Sequence, residues 1–523
     1  MSSIKSLENI SQAKLFWDTQ NNEVSLYASY FITAAIFILI VYSQRESYPN
    51  LPRLNPKKAT ELTWNGRLHD YMMQSQKLLA EGTQQFPDRP YKLYMEQGDM
   101  VVVPTKYAEE LKSNRALDFS VVASEGMHWH IPGMSPFKSD AGTTKVVQNY
   151  LTKALASLTM PISLEATKAL YDVLPQSKAE WAEVKPTDLM VIVSRMSSRI
   201  FMGEELCSDM EWIQESSQYV NAAFQGVYQL SQWPGPMRPW VHWFLPHFYE
   251  IRRRLKRCRA VLQPHIDRRI AIKKAAAARG EPNPYNDSIE WFSREYSAGY
   301  DPTQAQLNLT LVAVHTTSDL LAQTMMDIAK HPEILGPLRE ETIRVLQTDG
   351  LKKSALQKLH LMDACFKESQ RMRPVFLAAF RRRALADVTT NDGFVIKKGT
   401  MISTDIRRTH FSTDIYQDPS KWNPYRYIDM RKSGQENQAH LVSTSDKHNG
   451  FGYGIHACPG RFFAANELKI ALAHMLLKYD WKLPEDAKNL PVMAMGSNLI
   501  LNPATKFLFR RRQEELDLDT LES

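Results

Sequence analysis

Apolar residues in this chain form one uninterrupted run near the N-terminus and recur mostly at helical spacing after it. From about residue 59 to 330 they return every three to four positions, which predicts helices. Residues 91–97 and 99–105 instead alternate like a pair of strands, as do residues 379–400 around a turn at Asn391-Asp392-Gly393. The pattern predicts one large, mainly α-helical domain with small β-sheets.

The uninterrupted apolar run, residues 24–42, carries no charged side chain. As a helix it is about long enough to cross a hydrocarbon core of roughly 30 Å. The polar stretch before it is too long for a cleaved signal peptide, and no small-residue cleavage site follows, so we expect an uncleaved transmembrane anchor. We therefore divide the chain into a short lumenal tail (1–23), the anchor (24–42), a proline-rich hinge (43–58) and the large domain (59–523). Basic residues concentrate after the anchor, which predicts that the large domain lies in the cytosol.

A second long apolar segment follows Asp301-Pro302 and extends to about Lys330. Aspartate suits the N-cap of a helix and proline its first turn, so we expect a helix to begin here. The centre of this segment is apolar on all faces, which predicts a buried helix. It contains the sequence Ala313-Val314-His315-Thr316-Thr317.

Composition narrows the class of protein only slightly. The formal net charge is +7, and much of the excess lies in residues 252–259. Because no aromatic residues interleave with this run and no nucleic-acid motif accompanies it, we interpret it as a solvated helix face rather than a nucleic-acid site. A surface for anionic lipid or an acidic protein is the alternative. The four cysteines are widely spaced and form no CxxC pair, which excludes zinc-ribbon and thioredoxin-like sites.

Candidate chemistry concentrates around one cysteine. Residues 451–461 read FGYGIHACPGR, a glycine-rich loop that leads directly into the helical-looking segment 462–477. Glycines allow a backbone to approach something flat and large. At a helix N-terminus the dipole and free N–H groups stabilise a thiolate, here that of Cys458. An iron-binding thiolate needs this environment, although a lone cysteine is more often a core residue.

The loop resembles the haem-binding loop of the cytochrome P-450 family, in which Phe, Gly, a basic residue, Cys and Gly recur at this spacing. Here the positions are Phe451, Gly454, His456, Cys458 and Gly460. An oxygen-activation turn, an ExxR pair and a PxRY segment precede it in the family's order. The resemblance covers nearly everything after the anchor. It implies the cytochrome P-450 fold, a triangular helical haem domain with small β-sheets, behind one N-terminal transmembrane helix.

The resemblance assigns roles within the central helix. In the family, a small residue there opens room beside the haem, and an acid–alcohol pair ends the motif. The alcohol would be Thr317, whose hydroxyl relays protons, and Thr316 would stand at the acid position. Val314 occupies the place of the usual glycine. Because Thr316 carries no carboxylate, His315 or ordered water is the expected substitute.

The resemblance also implies a buried charge network behind the haem loop. Glu368 and Arg371 of the sequence KESQR are three residues apart, on one helix face. They would join Arg426 of the sequence WNPYRY. Removing one member of such a network strands a buried charge, which is costly.

Contacts to the haem propionates are implied for two further positions. Family members often supply an arginine from the strand-like stretch, here Arg382 or Arg383, and we assign the role to Arg383. The basic residue of the loop, usually arginine, is His456 here. A histidine can donate the same hydrogen bond, but its charge depends on pH.

The implied activity is monooxygenation with haem b, whose iron carries the axial thiolate of Cys458. Electrons would come from a membrane-bound NADPH–cytochrome P-450 reductase, because the chain has no flavin or iron–sulfur pattern. HPEILGPLREE and GIHACPGRFFA look like filamentous-fungal enzymes of secondary metabolism. An apolar, rigid substrate such as a terpenoid is expected, and no nucleic acid. The pocket walls would come from residues 120–134, Ala313, Val314, 374–380 and 496–501.

The topology predicts a single-pass protein of the endoplasmic reticulum membrane with a cytosolic catalytic domain. Asn9-Ile10-Ser11 is a glycosylation sequon on the lumenal side of that arrangement. Two other readings stay open at this point. One is a haem-thiolate isomerase or dehydratase that needs no reductase. The other is a membrane protein that binds haem or a hydrophobic ligand without catalysis.

Overall fold

A computed structural model describes residues 27, 30, 31, 33, 34, 48, 50–58, 61, 64–296 and 299–521. Residues Pro52–Ser523 form one compact unit, separate from Met1–Leu51. The predicted lumenal tail with Asn9, and all but five residues of the predicted anchor, lie outside the described residues. Over the described ranges, no helix combines the length and the apolar character needed to cross a bilayer.

The compact unit is mainly helical, as predicted. The α-helices of the described residues, in chain order, are α1 (Asn65–Gln85), α2 (Lys106–Leu111), α3 (Phe119–Gly126), α4 (Ala141–Val146), α5 (Thr152–Val173), α6 (Pro186–Phe201), α7 (Met210–Ser231), α8 (Arg238–Val241), α9 (Pro246–Ala278), α10 (Ser288–Tyr296), α11 (Pro302–Leu309), α12 (His315–Lys330), α13 (Leu335–Asp349), α14 (Lys353–Lys358), α15 (His360–Met372), α16 (Arg407–His410), α17 (Tyr425–Lys432), α18 (Glu436–Ala439) and α19 (Arg461–Lys478).

The strands are short and belong to small sheets, also as predicted. They are β1 (Tyr91–Met95), β2 (Gly98–Val102), β3 (Leu117–Asp118), β4 (Ala182–Val184), β5 (Ala378–Ala384), β6 (Val388–Thr389), β7 (Val395–Ile396), β8 (Met401–Asp405), β9 (Tyr479–Lys482), β10 (Met493–Met495), β11 (Asn498–Ile500) and β12 (Phe507–Arg511). The largest sheet has the order β1-β2-β8-β5-β3, in which β2 and β8 run parallel and the other pairs antiparallel. The remaining sheets are β4-β12-β9, β10-β11 and β6-β7.

The central helix begins where the sequence predicts. The Asp301 carboxylate accepts hydrogen bonds from the Thr303 and Gln304 N–H groups, and Pro302 opens α11. Between α11 and α12, residues Thr310–Val314 form a π-helical turn. Such insertions widen a helix and are frequent at functional sites.

The helices around this segment position the site. Helix α12 packs against α6, α15 and α19, and α19 packs against α5. Most of α19 is buried, because its apolar residues face neighbours on all sides. The cysteine loop leads directly into α19, so it is attached to a helix of which nearly all residues after the first turn are buried.

The basic run of residues 252–259 lies on helix α9. Its side chains form more ion pairs than we predicted for a solvated helix face. Arg254 and Arg257 both bond the buried carboxylate of Glu215 on α7. Arg259 bonds Asp301 at the start of the central helix. These contacts fasten α9 to its neighbours, so the run has a structural role.

Candidate active site

The cysteine loop is closed by its own backbone. The Cys458 N–H donates to the Phe451 carbonyl over 2.7 Å, and the Gly452 N–H donates to the Asn449 carbonyl over 2.8 Å. Residues Gly454–His456 form a single 3₁₀ turn between these bonds. The loop therefore holds its cysteine in a fixed place before α19 begins.

Cys458 differs from the other cysteines, which are all buried free thiols. Its surroundings raise the pKa of the thiol through burial, while the N–H groups of Gly460 and Arg461 oppose this by pointing at the sulfur. The residue nevertheless retains partial exposure. The sulfur is therefore largely enclosed by protein, in a residue that is not fully buried. Two amide donors aimed at it favour a thiolate bound to a metal ion.

Two glycines of the loop adopt backbone conformations that favour glycine. Gly454 adopts φ +70°, and a Cβ there would lie 2.1 Å from the Lys112 carbonyl oxygen at the end of α2. The Ile455 N–H donates to the same carbonyl over 3.1 Å. Gly452 also has a positive φ, of +74°. For Gly460, a Cβ would meet only Val147, at 4.0 Å. The close approach to α2 therefore explains Gly454 but not Gly460.

The central helix is not buried on all faces, contrary to the sequence prediction. Val312 is 51% exposed and Thr316 is also exposed, although neighbouring helices surround this segment. Positions four apart share one helix face, so these two residues line one opening. Ala313 is partly exposed, and Val314 is buried. The π turn and this open face coincide.

The geometry favours Thr316, not Thr317, as the hydroxyl that faces the opening. Thr316 donates from Oγ1 to the Val312 carbonyl at 2.9 Å, with Ala313 at 3.4 Å. Thr317 is 3% exposed and points into the core. The structure therefore exposes Thr316 and buries Thr317, while the assignment of the family's alcohol to Thr317 stays a prediction. A shift of one residue turns a side chain by about 100° around a helix.

His315 occupies the position before that hydroxyl. Its Nε2 atom is buried and has no hydrogen-bond partner in the described residues. Burial lowers the pKa of His315 to about 4. The ring is therefore neutral at physiological pH and cannot act as the charged acid of the family's pair.

The three residues of the predicted charge network contact one another in the structure. Arg371 forms a two-pronged bond to Glu368, at 2.9 Å for each prong, and both side chains are fully buried. Arg426 donates from Nε to the same carboxylate at 3.0 Å, and the Asn423 N–H donates to it at 3.0 Å. Arg371 also donates to the His410 carbonyl. The network fastens α15 to α16 and α17 and touches the loop only indirectly.

Of the two candidate arginines in β5, Arg382 faces the cysteine loop. It is 3% exposed, donates to the Tyr453 carbonyl at 3.1 Å, and lies 4.4 Å over the Phe380 ring. No carboxylate of the described residues forms an ion pair with it. Arg383 instead pairs with Glu125 at 2.5 Å. Adjacent strand residues point to opposite faces, so Arg382 and Arg383 have different surroundings. The assignment of the propionate contact to Arg383 stays a prediction, and Arg382, the other candidate, is the one that contacts the loop.

His456 holds the loop rather than offering a free donor. Its Nε2 lies 3.0 Å from the Leu117 carbonyl, which can only accept, so Nε2 carries the proton. Burial lowers the pKa of His456, so the ring is neutral and its Nδ1 has no proton to donate. The predicted hydrogen bond from His456 to a propionate would therefore require protonation of Nδ1, which the lowered pKa disfavours.

The residues of the site fit a haem with a thiolate ligand. Cys458 supplies the sulfur, and backbone amides are aimed at it. Arg382 is a buried cation, still charged because its pKa falls only to about 10, and a propionate would neutralise it. Gly454 lets the loop lie against α2. When bound, such a haem supplies oxidising power from O2, and the protein supplies the ligand, the orientation and the enclosure.

Two contributors escape the sequence motifs. Lys112 at the end of α2 receives the loop through its backbone carbonyl, which no side-chain pattern could reveal. Glu467 of α19 is fully buried, accepts from Ser197 at 2.6 Å, and has its pKa raised to about 8 by burial. A carboxylate within the largely apolar segment 462–477 was the available signal for Glu467.

Comparisons with known proteins agree with this geometry. The model of the family "Cytochrome P-450" matches residues 56–509. Cytochrome P-450 monooxygenase eqxH of Fusarium heterosporum is 48% identical over 499 residues, which cover 94% of this chain and 96% of that protein. Cytochrome P-450 monooxygenase hepE of Aspergillus oryzae is 38% identical and covers 93% of this chain and 90% of its own. Cytochrome P-450 monooxygenase 1 of Gibberella fujikuroi is 39% identical over 82% of this chain and 99% of its own.

A solved structure carries the same fold. Retinoic-acid-bound cyanobacterial CYP120A1 superposes with a TM-score of 0.61 at 18% identity, over 85% of this chain and 96% of that one. The family match and the relatives span nearly the whole compact unit. The chain belongs to the cytochrome P-450 family, and it is a monooxygenase whose cofactor is haem with a cysteine thiolate on the iron.

Proposed function

We propose that this chain inserts oxygen into an apolar, rigid secondary metabolite, with a terpenoid as the favoured class. The observation that carries the proposal is the exposure of apolar side chains on the predicted pocket walls. Phe376 and Ile500 lie on the predicted walls and are 38% and 37% exposed, and Val312, next to the predicted wall residue Ala313, is 51% exposed. Core positions of such elements are normally buried, so accessible apolar walls indicate an apolar ligand.

The roles of the chain's own residues follow from their positions. Cys458 holds the cofactor, and the amides at the start of α19 stabilise its negative charge. Arg382 orients the cofactor from β5. Thr316 holds a proton at Oγ1 on the open face of the central helix, and can pass it on when it leaves the Val312 carbonyl. The apolar walls exclude water from the reacting carbon.

Members of this family draw electrons from a redox partner. For this chain we propose an NADPH–cytochrome P-450 reductase. The test supplies the full-length protein with reductase, NADPH and O2, and screens apolar terpenoids for products that gain one oxygen atom. Turnover that proceeds without NADPH or O2 would indicate the isomerase or dehydratase instead.

The spectrum of the reduced, carbon-monoxide-treated protein tests the cofactor site independently of any substrate. A strongly red-shifted Soret band is expected for the natural chain. Cys458→Ser should lose that band, because a hydroxyl does not replace the thiolate at neutral pH. Cys365→Ser is the matched control, since Cys365 is a fully buried free thiol elsewhere in the core. A red-shifted band that survives in the Cys458 variant would overturn the assignment.

We also propose that the chain is anchored in the endoplasmic reticulum membrane by residues 24–42, with its catalytic domain in the cytosol. An exposed aromatic cluster in the compact unit supports a second contact with lipid: Trp240, Trp243 and Phe244 are 73%, 57% and 86% exposed. Aromatic side chains of this kind favour the membrane interface. The full-length protein should resist extraction from microsomes by alkaline carbonate. Endoglycosidase treatment should shift its mobility if Asn9 is lumenal and modified.

A further inference from the structure

Arg381 of β5 is a largely enclosed cation with no hydrogen bond from its guanidinium to any described residue. Its side chain is only 13% exposed. The guanidinium lies 4.3 Å over the ring of Phe376, and its nearest carboxylate oxygen, Glu96 Oε1, is 4.0 Å away. An arginine has five N–H donors, and enclosing them without acceptors is costly. Its neighbour Arg382, by contrast, donates to two backbone carbonyls.

The other polar groups near Arg381 leave its donors available. Tyr71 and Ser497 share a hydrogen bond of 2.9 Å with each other. Glu96 Oε2 is buried and has no partner among the described residues. Burial lowers the pKa of Arg381, while Glu96 and Tyr71 oppose this shift. The neighbouring Arg382 carries a like charge that interacts with Arg381. Arg381 remains a cation with free donors.

An accessible apolar surface lies beside this cation. Phe376 is 38% exposed and forms a β-bridge with Asn498 of β11. In the β10-β11 hairpin, Asn498 pairs with Met495, and Met493 pairs with Ile500. Met493, Met495 and Ile500 are all exposed. Alternate residues of a strand share a face, so these side chains and Phe376 form one apolar surface.

We propose that Arg381 binds an acceptor oxygen, a carboxylate or a carbonyl, at the polar end of the substrate. The apolar body of the same molecule lies on Phe376 and the hairpin face. This inference rests on the proposed function, since it specifies the substrate as amphiphilic rather than purely apolar. Guanidinium groups recognise carboxylates in a planar, two-pronged geometry, and a ring beneath the guanidinium holds it in orientation.

The test measures binding by equilibrium dialysis, which needs neither turnover nor a spectral change. The probes are three rigid diterpenes that differ at one end: abietic acid, methyl abietate and the hydrocarbon abietadiene. The natural chain should bind the acid and the ester more tightly than the hydrocarbon. Arg381→Met should weaken binding of the acid by about 10- to 100-fold, the value of a charge-assisted hydrogen bond, and leave the hydrocarbon unchanged.

Arg381→Lys keeps the charge but loses the planar fork, so it should bind the acid with intermediate affinity. Arg89→Met is the matched control, because Arg89 stacks on the Phe86 ring at 5.1 Å but is exposed at the surface. The carbon monoxide spectrum of each variant reports correct folding. Equal affinity of the natural chain and Arg381→Met for the acid would overturn the proposal, as would failure of the natural chain to bind the acid. Loss of the thiolate band in the natural chain would instead count against the cofactor assignment.

Discussion

At the scale of single residues, the site depends on which way neighbouring side chains point. Thr316 and Thr317 are adjacent, yet one is exposed on the open face of the helix and the other is 3% exposed. Arg382 and Arg383 are adjacent as well, yet one reaches the cysteine loop and the other pairs with Glu125. In both pairs the two side chains are of the same type but point in different directions. The same substitution made at each member of a pair therefore tests the effect of side-chain orientation alone.

Thr316→Val should uncouple NADPH consumption from product. Valine keeps the shape of threonine but removes the hydroxyl proton at Oγ1, which faces the opening. We expect a fall of ~10-fold or more in product formed per NADPH, within the range for lost acid–base catalysis. Thr317→Val is the control and should keep the coupling. The opposite result, with only Thr317→Val uncoupled, would support the sequence-based assignment of the alcohol to Thr317.

Arg382→Met should weaken haem retention. The buried guanidinium has no carboxylate partner among the described residues, so its charge is available to a propionate. We expect haem affinity to fall about 10- to 100-fold, as for a lost charge-assisted hydrogen bond. Arg383→Met should retain haem, since Arg383 pairs with Glu125 and donates to the Gly399 carbonyl instead of contacting the loop. The measurement is haem transfer to apomyoglobin, and equal transfer rates from the two variants would contradict the prediction.

At the scale of elements, the site is assembled from pieces that are far apart in the sequence. The cysteine loop meets the end of α2 at Lys112 and the strand β3 at Leu117. Strand β5 contributes Arg382 to the same loop. The Glu368–Arg371 pair fixes α15 to the segments that follow β8. The loop can present its cysteine because these elements hold it from several sides.

Gly454→Ala should disrupt the contact between the loop and α2. The added Cβ would lie 2.1 Å from the Lys112 carbonyl oxygen, and φ is +70°. Gly434→Ala is the matched control, because φ is +81° there and no atom lies within 4 Å of the added Cβ. The free energy of unfolding of the control should fall only by the cost of placing a Cβ at a positive φ, about 1–2 kcal/mol. Gly454→Ala should lose more stability than the control and also the thiolate band. Similar melting temperatures and spectra for both variants would contradict this account.

At the scale of the whole molecule, enclosure decides the behaviour of ionisable groups. Glu467 is fully buried within α19, and its only hydrogen bond among the described residues comes from Ser197. Burial raises its pKa to about 8, so the folded protein keeps a proton that the unfolded chain releases near its ordinary value of 4.5. Between these values the unfolded state binds fewer protons, so stability falls as pH rises.

Glu467→Gln should therefore remove part of the pH dependence of stability. Glutamine keeps an acceptor for Ser197 but has no proton to release. The gain in melting temperature over the natural chain should be small at pH 5 and largest at pH 8. The reason is that the Glu467 carboxyl lowers the free energy of unfolding of the natural chain by about 1.4 kcal/mol for each pH unit between its two pKa values. Glu485→Gln, at an exposed site, should show no such trend. A gain that does not change with pH would contradict the burial of a protonated carboxyl.

The sequence by itself determined the parts of this protein that depend on local spacing. The central helix begins at its Asp-Pro cap, the strands lie where apolar residues alternate, and Glu368 and Arg371 meet because they are three residues apart. The cysteine loop and its family were also readable, since a short motif carries them. These features depend on residues close together in the chain.

Only the tertiary structure decided which neighbour faces the site. A helix position differs from the next by about 100° and a strand position by a reversal of face, so motif spacing alone does not fix orientation. For this reason the sequence left Arg382 and Arg383 both as candidates, and it placed the family's alcohol at Thr317 although Thr316 is the exposed neighbour. Likewise His456 and Arg381 are defined by Leu117 and Phe376, contacts set by the packing of separate elements. Local patterns name the chemical groups, and packing decides where each group points.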